Sequence, residues 1–453
     1  MTKQHTSLAE EKGRERATSS TLHAAPKDLR RIQFSSFLGT AIEYYDFILY
    51  ATAAAIVFNR IFFVGLDDSV ALILSFATLA AGYVARPLGG LIFGHLGDRM
   101  GRKTILVVTV LIMGVSSTLM GLLPTAYHIG TWAPVMLVFL RVVQGIAVGG
   151  EWGGAMLLAF ESAPRNKRGF AAAFAYMGAP AGTIVGTLVL SAFSLLPEEQ
   201  FLSWGWRIPF LFSTVLMLLG IFIRMKVSES SVFQELANNP TPKKVPVAEL
   251  VIDHPTKLLR AIGGGLSGQM AQGLMGAWAI SYAVQQAVLQ QSDVLNMKAL
   301  GGVFTIVFIV VASRLSDRLG RRRVLIWGNI IGIALAFPVM WLLEMGTAVA
   351  FMIAIILGLS LVQGFTAGPY GAYAGELFPT QVRYSGASIG YQFAAVLGAG
   401  FTPMMATALV AAGGGSLHLV AIMWITFTAI SLISLLFSHD VSRKEIHELD
   451  NSE

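Results

Sequence analysis

Gly94-His95-Leu96-Gly97-Asp98-Arg99-Met100-Gly101-Arg102-Lys103 is a charged, glycine-rich knot set between two long apolar runs, and the chain contains it twice. Ser313-Arg314-Leu315-Ser316-Asp317-Arg318-Leu319-Gly320-Arg321-Arg322 repeats its order of Asp, Arg, Gly and paired cations, with 219 residues between Asp98 and Asp317. Gln144-Gly145 and Gln363-Gly364 lie the same 219 apart, and Glu161, Pro164 and Arg168 keep the spacing of Glu376, Pro379 and Arg383. The 453 residues therefore read as two halves of one design.

Working outward from the knots, the flanking sequence is that of a membrane protein. Only 13% of the residues are charged while 55% are apolar, about half the charge of a soluble domain. Lipid leaves no water to satisfy peptide groups, so spans must be helices or closed barrels, and barrel strands would alternate over about ten residues. The runs here are roughly 20 residues long, the length of a helix crossing a core about 30 Å thick. The expected class is an all-α membrane protein with twelve spans, near 33–57, 69–93, 104–123, 133–157, 169–195, 207–225, 258–288, 299–316, 323–343, 348–373, 385–411 and 417–438.

Loop charge sets the expected topology. One side holds Arg99, Arg102, Lys103, Arg165, Lys167, Arg168, Arg318, Arg321, Arg322 and Arg323, whereas the other holds only Arg60, Lys298 and the border residue Arg207. Cations gather on the cytoplasmic side, so both termini are expected inside and the net charge of +6 needs no nucleic acid. Residues 1–31 lack the apolar core of a signal peptide and read as a disordered cytoplasmic tail. A polar linker at 226–257 divides a six-helix bundle at 32–225 from another at 258–438, and 439–453 forms a second cytoplasmic tail. Duplicated halves imply a pseudo-symmetric bundle with a cavity between them, and rocking of one half on the other alternates the open face.

The paired knots resemble the loop signature of the major facilitator superfamily. Ile42-Glu43-Tyr44-Tyr45-Asp46-Phe47, Ala85-Arg86-Pro87-Leu88-Gly89-Gly90, Gly149-Gly150-Glu151-Trp152-Gly153-Gly154 and Trp204-Gly205-Trp206-Arg207-Ile208-Pro209-Phe210 look like its metabolite:proton symporters, which include carriers of shikimate, 2-oxoglutarate, citrate and proline or betaine. Glu161-Ser162-Ala163-Pro164 with Phe201-Leu202-Ser203-Trp204 leans toward the shikimate-carrier branch. The resemblance implies two six-helix halves, proton-coupled import of a small organic acid across a bacterial inner membrane, and a functional monomer, with a proline/betaine-type zwitterion:proton symporter or an uncoupled facilitator as the alternatives. Three departures qualify it. Ser313 stands where the signature has Gly, which predicts looser packing. The chain ends about fifteen polar residues after its last span, short of the three or four heptads of the coiled-coil tail of osmosensing betaine carriers. Gly178-Ala179-Pro180-Ala181-Gly182 also differs from the pattern of drug antiporters.

Ionisable residues inside spans cost about 2.5 to 3.5 kcal/mol or more and default to function. Glu43, Asp46 and Tyr50 share one face of the first helix, with Tyr45 beside them; Arg141, Gln144 and Glu151 share one face of the fourth, and Arg86 precedes Pro87 on the second. A carboxyl and an arginine in one cavity trade protons as water and solute come and go, so Asp46 and Glu43 are the expected proton carriers. A static ion pair between helices is the plainer alternative. Arg141 is the candidate to meet an anion, since a guanidinium grips a carboxylate with two hydrogen bonds; its other reading is a carbonyl contact at a bend made by Gly145, Gly149 and Gly150. In the superfamily the resembling Arg-x-x-Gln-Gly stretch, here Arg141-Val142-Val143-Gln144-Gly145, is associated with proton coupling. Arg86 is either a second anion ligand or part of an Arg-Pro kink, and Glu151 either a second proton station or a partner for a cytoplasmic cation.

In the second half, Gln269, Gln272, Trp278, Tyr282, Tyr370, Tyr373, Tyr391 and Gln392 are candidate solute contacts, or residues that merely line and seal the cavity. The knots themselves, with Gly94, Asp98, Arg99, Gly101, Arg102, Asp317, Arg318, Gly320 and Arg321, are expected to cap helix ends and latch the cytoplasmic seam, with Glu161, Arg168, Glu376 and Arg383 as companions. An enzyme is not expected. Cysteine is absent, the eight histidines form no metal-like pair and no nucleotide loop occurs, so neither cofactor nor metal is called for. The expected partners are an organic acid, protons and lipid.

Overall fold

The computed structural model describes residues 26–100, 102–149, 156–157, 159–160, 163–225, 250, 252–285, 289–379 and 382–438. Among the described residues twelve long helical segments follow one another. The first half holds α1 (Pro26–Ala53, carried through a π turn at Ala54–Phe58 to Ile61), α2 (Asp68–Met100), α3 (Arg102–Leu122), α4 (Trp132–Val148), α5 (Arg168–Phe193) and α6 (Arg207–Met225). The second holds α7 (Pro255–Gly273, carried through a π turn at Leu274–Trp278 to Gln285), α8 (Gln291–Leu319), α9 (Arg321–Glu344), α10 (Ala348–Leu377), α11 (Arg383–Ala412) and α12 (His418–Leu436). Nine described helices are long and apolar enough to cross a membrane, and Val107–Leu122 and Trp132–Val148 are shorter apolar ones. The twelfth, α7, is diluted by Gly263, Gly264, Gly265, Gln269 and Gln272. The duplication extends to backbone detail, since the π turns of α1 and α7 fall at matching places in the two halves.

Several expectations shift. Helix α1 starts at Pro26, inside the stretch read as a tail; proline suits a first helical turn because its missing N–H has no partner there. Helix α7 likewise begins at Pro255, inside the stretch read as linker. The knots are not open loops. The backbone is helical to Met100 and again from Arg102, and α8 passes into α9 through Gly320 alone, at φ 99°, a left-handed conformation that favours glycine. The side chains of Gly94, Asp98, Arg99, Gly101 and Arg102 lie outside what the structure describes, as do Glu151 and Glu161. Ser313 is fully buried, its hydroxyl bonded to Ile309 O, so packing there is tight. Lys298, read as a loop cation, sits seven residues into α8 and is fully buried.

In the first half α1 packs on α5, α2 on α4 and α3 on α6; in the second, α7 packs on α11 and α12 and α9 on α12. The halves meet along α5 against α8 and α2 against α11. Large apolar side chains such as Leu111, Val115 and Leu119 form an exposed stripe on α3, the face a span offers to lipid. Where no hydrophobic force separates lipid from neighbour, small residues let backbones touch. A Cβ on Gly149 would stand 1.9 Å from Arg86 O, and one on Gly145 2.1 Å from Gly82 O, so α4 lies directly on α2. Gly149→Val is expected to part these helices at about 3 kcal/mol, the upper end for overpacking, with Gly149→Ala intermediate. Thermal unfolding in detergent measures it; an unchanged melting temperature refutes the contact.

Candidate functional site

Among the described residues, Glu43 and Asp46 on α1, Arg86 on α2 and Arg141 on α4 are charged side chains buried well inside the spans of the first half. Asp46 accepts a hydrogen bond from the Ser213 hydroxyl of α6, and the Ser117 hydroxyl of α3 also reaches it. Ser117 Oγ accepts from Gln144 Nε2 at 2.7 Å, and Gln144 Oε1 accepts from Arg141 Nη1 at 2.5 Å. Asp46 and Arg141 are therefore the ends of one hydrogen-bonded chain through Ser117 and Gln144. That chain can pass a change of charge at one end to the other.

The two guanidiniums share an aromatic ring. Arg86 stands 3.8 Å from the Phe47 centroid and Arg141 3.7 Å from it, with Tyr83 4.4 Å from Arg86 and Tyr50 4.1 Å from Arg141. The Tyr50 hydroxyl is tied to Thr78 Oγ1 at 2.6 Å. Cation–π contact of this kind stabilises by about 2 kcal/mol when desolvated. It leaves donors unused: Nε and Nη2 of both Arg86 and Arg141 are buried without a hydrogen-bond partner. Each buried unsatisfied group costs about 1 to 3 kcal/mol, so a ligand supplying acceptors has free energy to gain here.

A small, partly open cavity lies between the halves. The first half lines it with Tyr44, Tyr83 and Tyr176, the second with Gln269, Gln272, Gln363, Thr366, Tyr370 and Tyr391. Tyr44 and Tyr391 hydrogen-bond each other across the gap, and Gln363 Nε2 donates to Gln272 Oε1 at 2.6 Å. The expected wet seam is thus displaced. Glu43, Asp46, Arg86 and Arg141 are not part of its lining but stand one layer behind, among the helices of the first half, with Tyr83 between Arg86 and the void.

The other expected contacts divide. Gln269, Gln272, Tyr370 and Tyr391 line the void. Gln392 lies in the seam, its Nε2 donating to Gly149 O of α4 at 3.4 Å. Tyr45 points away, its hydroxyl donating to Pro209 O of α6 at 2.9 Å. Trp278 and Tyr282 stack on each other at 5.3 Å near the far end of α7, away from the lining. Sequence reasoning missed Tyr44, Tyr83, Tyr176, Phe47, Ser117 and Ser213. Tyr44 and Phe47 stand in the Ile42–Phe47 stretch that carries the family resemblance, and Gln363, also unassigned, is the repeat partner of Gln144.

The two ends of the seam are held differently. At the arginine-rich end, Asp317 of α8 accepts from the amides of Gly169 at 2.9 Å and Phe170 at 3.0 Å, capping the start of α5 in the other half. Arg321 pairs with Asp317 at 2.7 Å and reaches Glu376 at 3.3 Å. Arg168 lies over the Phe160 ring at 5.6 Å, and Arg383 Nε donates to Phe378 O at 3.2 Å. At the opposite end the acceptors that join the halves among the described residues are neutral: Ser191 Oγ donates to Asn296 Oδ1 at 2.8 Å, and Lys298 Nζ donates to Thr52 Oγ1 at 2.7 Å.

Residues 36–403 match the family profile described as Major Facilitator Superfamily. The chain belongs to that superfamily. It is 40% identical over 417 residues to the shikimate transporter of Escherichia coli (strain K12), covering 91% of this chain and 95% of that protein. It is also 40% identical to the inner membrane metabolite transport protein YhjE of the same organism, across 92% and 95% of the two chains. A proline/betaine transporter of Salmonella typhimurium shares 34% identity over 84% of this chain and 78% of its own. Among solved structures, a D-xylose–proton symporter superposes with TM-score 0.70 at 18% identity, covering 90% of this chain and 96% of that one, and shows the same fold. This major facilitator chain is a multi-pass membrane transporter, not an enzyme.

Proposed function

We propose that this transporter is a proton-coupled symporter that brings a small organic acid into a bacterial cell across the inner membrane, with both termini in the cytoplasm. The observation that carries the reading is the set of buried Nε and Nη2 groups on Arg86 and Arg141 that lack acceptors, joined through Gln144 and Ser117 to the Asp46 carboxyl. A solute carboxylate satisfies those donors, and its charge is offset by a proton on Asp46, so cargo and proton favour each other. Glu43, buried on the same helix, is the second carboxyl available. The tyrosines and glutamines of the void read the rest of the solute, and relatives that carry shikimate and proline or betaine agree with a carboxylate as the common element. Alternating access then uses Asp317 on the end of α5 as the inner latch, since a carboxylate complements a helix N-terminus.

A second reading has a specific support. Five tyrosines, Tyr44, Tyr83, Tyr176, Tyr370 and Tyr391, border the void, and aromatic walls attract quaternary ammonium groups, as in a betaine. Uptake into proteoliposomes under an imposed pH gradient separates the two. Shikimate, 2-oxoglutarate, citrate, benzoate-like acids and betaine are offered in turn. Accumulation of an acid that collapses with the gradient is expected; betaine uptake with indifference to every acid overturns the organic-acid reading.

A further inference from the structure

Lys298 is a cation that the mechanism above leaves idle. It lies on α8, wholly buried in the seam between the halves, at the end opposite Asp317. Its Nζ donates to Thr52 Oγ1 of α1 at 2.7 Å, and the Thr52 hydroxyl itself donates to Ile48 O at 2.8 Å. Among the described residues no carboxylate forms an ion pair with it. Asp293, the acid near the start of its own helix, is exposed. On the facing helix α5, Ser191 is engaged with Asn296, and Thr187, one turn further along, is buried with its hydroxyl unpartnered. The arginines of this end are already occupied: Arg60 pairs with Glu198 at 2.6 Å, and Arg207 donates to Gly121 O and Leu123 O.

A buried ammonium whose partner is a hydroxyl is over-equipped for joining two helices. A neutral donor would hold Thr52 as well and would not carry the desolvation of a charge. What the charge adds is attraction for an anion once water reaches the seam. We propose that Lys298 is the outer binding residue for the carboxylate of the cargo, a site separate from Arg86 and Arg141. Parting α1 and α5 from α8 exposes the ammonium together with the hydroxyls of Thr52 and Thr187, and the carboxylate takes the place that Thr52 Oγ1 holds in the closed seam. The long, flexible lysine stem follows the solute inward, where a planar guanidinium fixed on a ring would not. A cation at the mouth of the cleft also raises the capture rate of anions. When the seam closes, Thr52 recovers the ammonium and the carboxylate passes to the arginines. The assignment rests on the cargo being a carboxylate.

The chain has no cysteine, so Lys298→Cys carries a single thiol. In proteoliposomes, Lys298→Cys is expected to raise KM for the transported acid at least about tenfold, the size of one lost charge-assisted hydrogen bond, with kcat changed less. Treatment with 2-aminoethyl methanethiosulfonate attaches a cationic side chain through a disulfide and is expected to restore KM to within a few-fold. The neutral methyl reagent and the anionic sulfonatoethyl reagent are expected not to, and the transported acid slows labelling. Equal rescue by the neutral reagent, or an unchanged KM before labelling, overturns the assignment. If Lys298→Cys does not fold, Lys298→Arg and Lys298→Met decide: Arg near the parent KM with Met raised supports the site, and equal behaviour refutes it. The cargo reading fails separately, if the unaltered protein moves no carboxylic acid at all.

Discussion

Accumulation of the organic acid above its external concentration is expected to vanish in Asp46→Asn, while exchange of labelled for unlabelled acid across the same membrane persists. With one proton per solute, each pH unit of gradient supports about a tenfold accumulation, because one unit is worth about 1.4 kcal/mol. An imposed difference of two units therefore takes the parent protein to roughly 100-fold, and the variant to about onefold. Asparagine keeps the size of Asp46, and its amide oxygen can still accept from Ser213 while Gln144 goes on donating to Ser117, so the links among Ser117, Gln144 and Arg141 stay in place. Only the exchangeable proton is removed. Loss of exchange together with accumulation would mean that Asp46 supports the frame; retention of uphill uptake would move the proton to Glu43, for which Glu43→Gln is the matching test.

The second large effect is expected at the arginine-rich end. Asp317→Ala removes two charge-assisted hydrogen bonds to the amides of Gly169 and Phe170, each worth about 1.5 to 3 kcal/mol. The freed amides recover part of this from water once the seam opens, which leaves a shift of about 2 to 3 kcal/mol toward the shape open at the arginine-rich end, or roughly 30- to 150-fold in population. Ala172→Cys places a lone thiol on α5 one turn beyond the cap, at a fully buried position. Its rate of modification by a bulky maleimide is expected to rise by that factor when Asp317→Ala is added, with Asp317→Asn in between because one oxygen remains. An unchanged rate means that the cap does not hold the halves together.

Both predictions start from positions visible in the sequence, yet only one of them could be given its surroundings there. Asp317 stands in a repeated pattern, and a carboxylate at a helix junction invites a helix N-terminus; which N-terminus it finds, that of α5, is a matter of how the halves meet. Asp46 and Arg141 stand out because charges inside apolar runs are rare and must be buried, as they are. Their relation to the void was misjudged. Helical periodicity says which residues share a face, but not whether that face turns toward a cavity or toward three neighbouring helices. Lys298 illustrates the converse error, since a cation immediately before an apolar run reads as a loop residue when the helix in fact begins seven residues earlier.

What the amino-acid order determined alone was the class and its symmetry. Long apolar runs have only one way to satisfy their peptide groups in lipid, and a motif repeated at a constant offset makes two halves of one plan. Tertiary structure decided which polar groups meet: Phe47 between two guanidiniums, Ser117 and Gln144 bridging Arg141 to Asp46, three tyrosines of one half facing six polar residues of the other, and a lysine sealed against a threonine. In a membrane protein the lipid-facing and partner-facing sides of a helix are both apolar, so composition marks what is buried from water but carries no record of what each buried side chain touches.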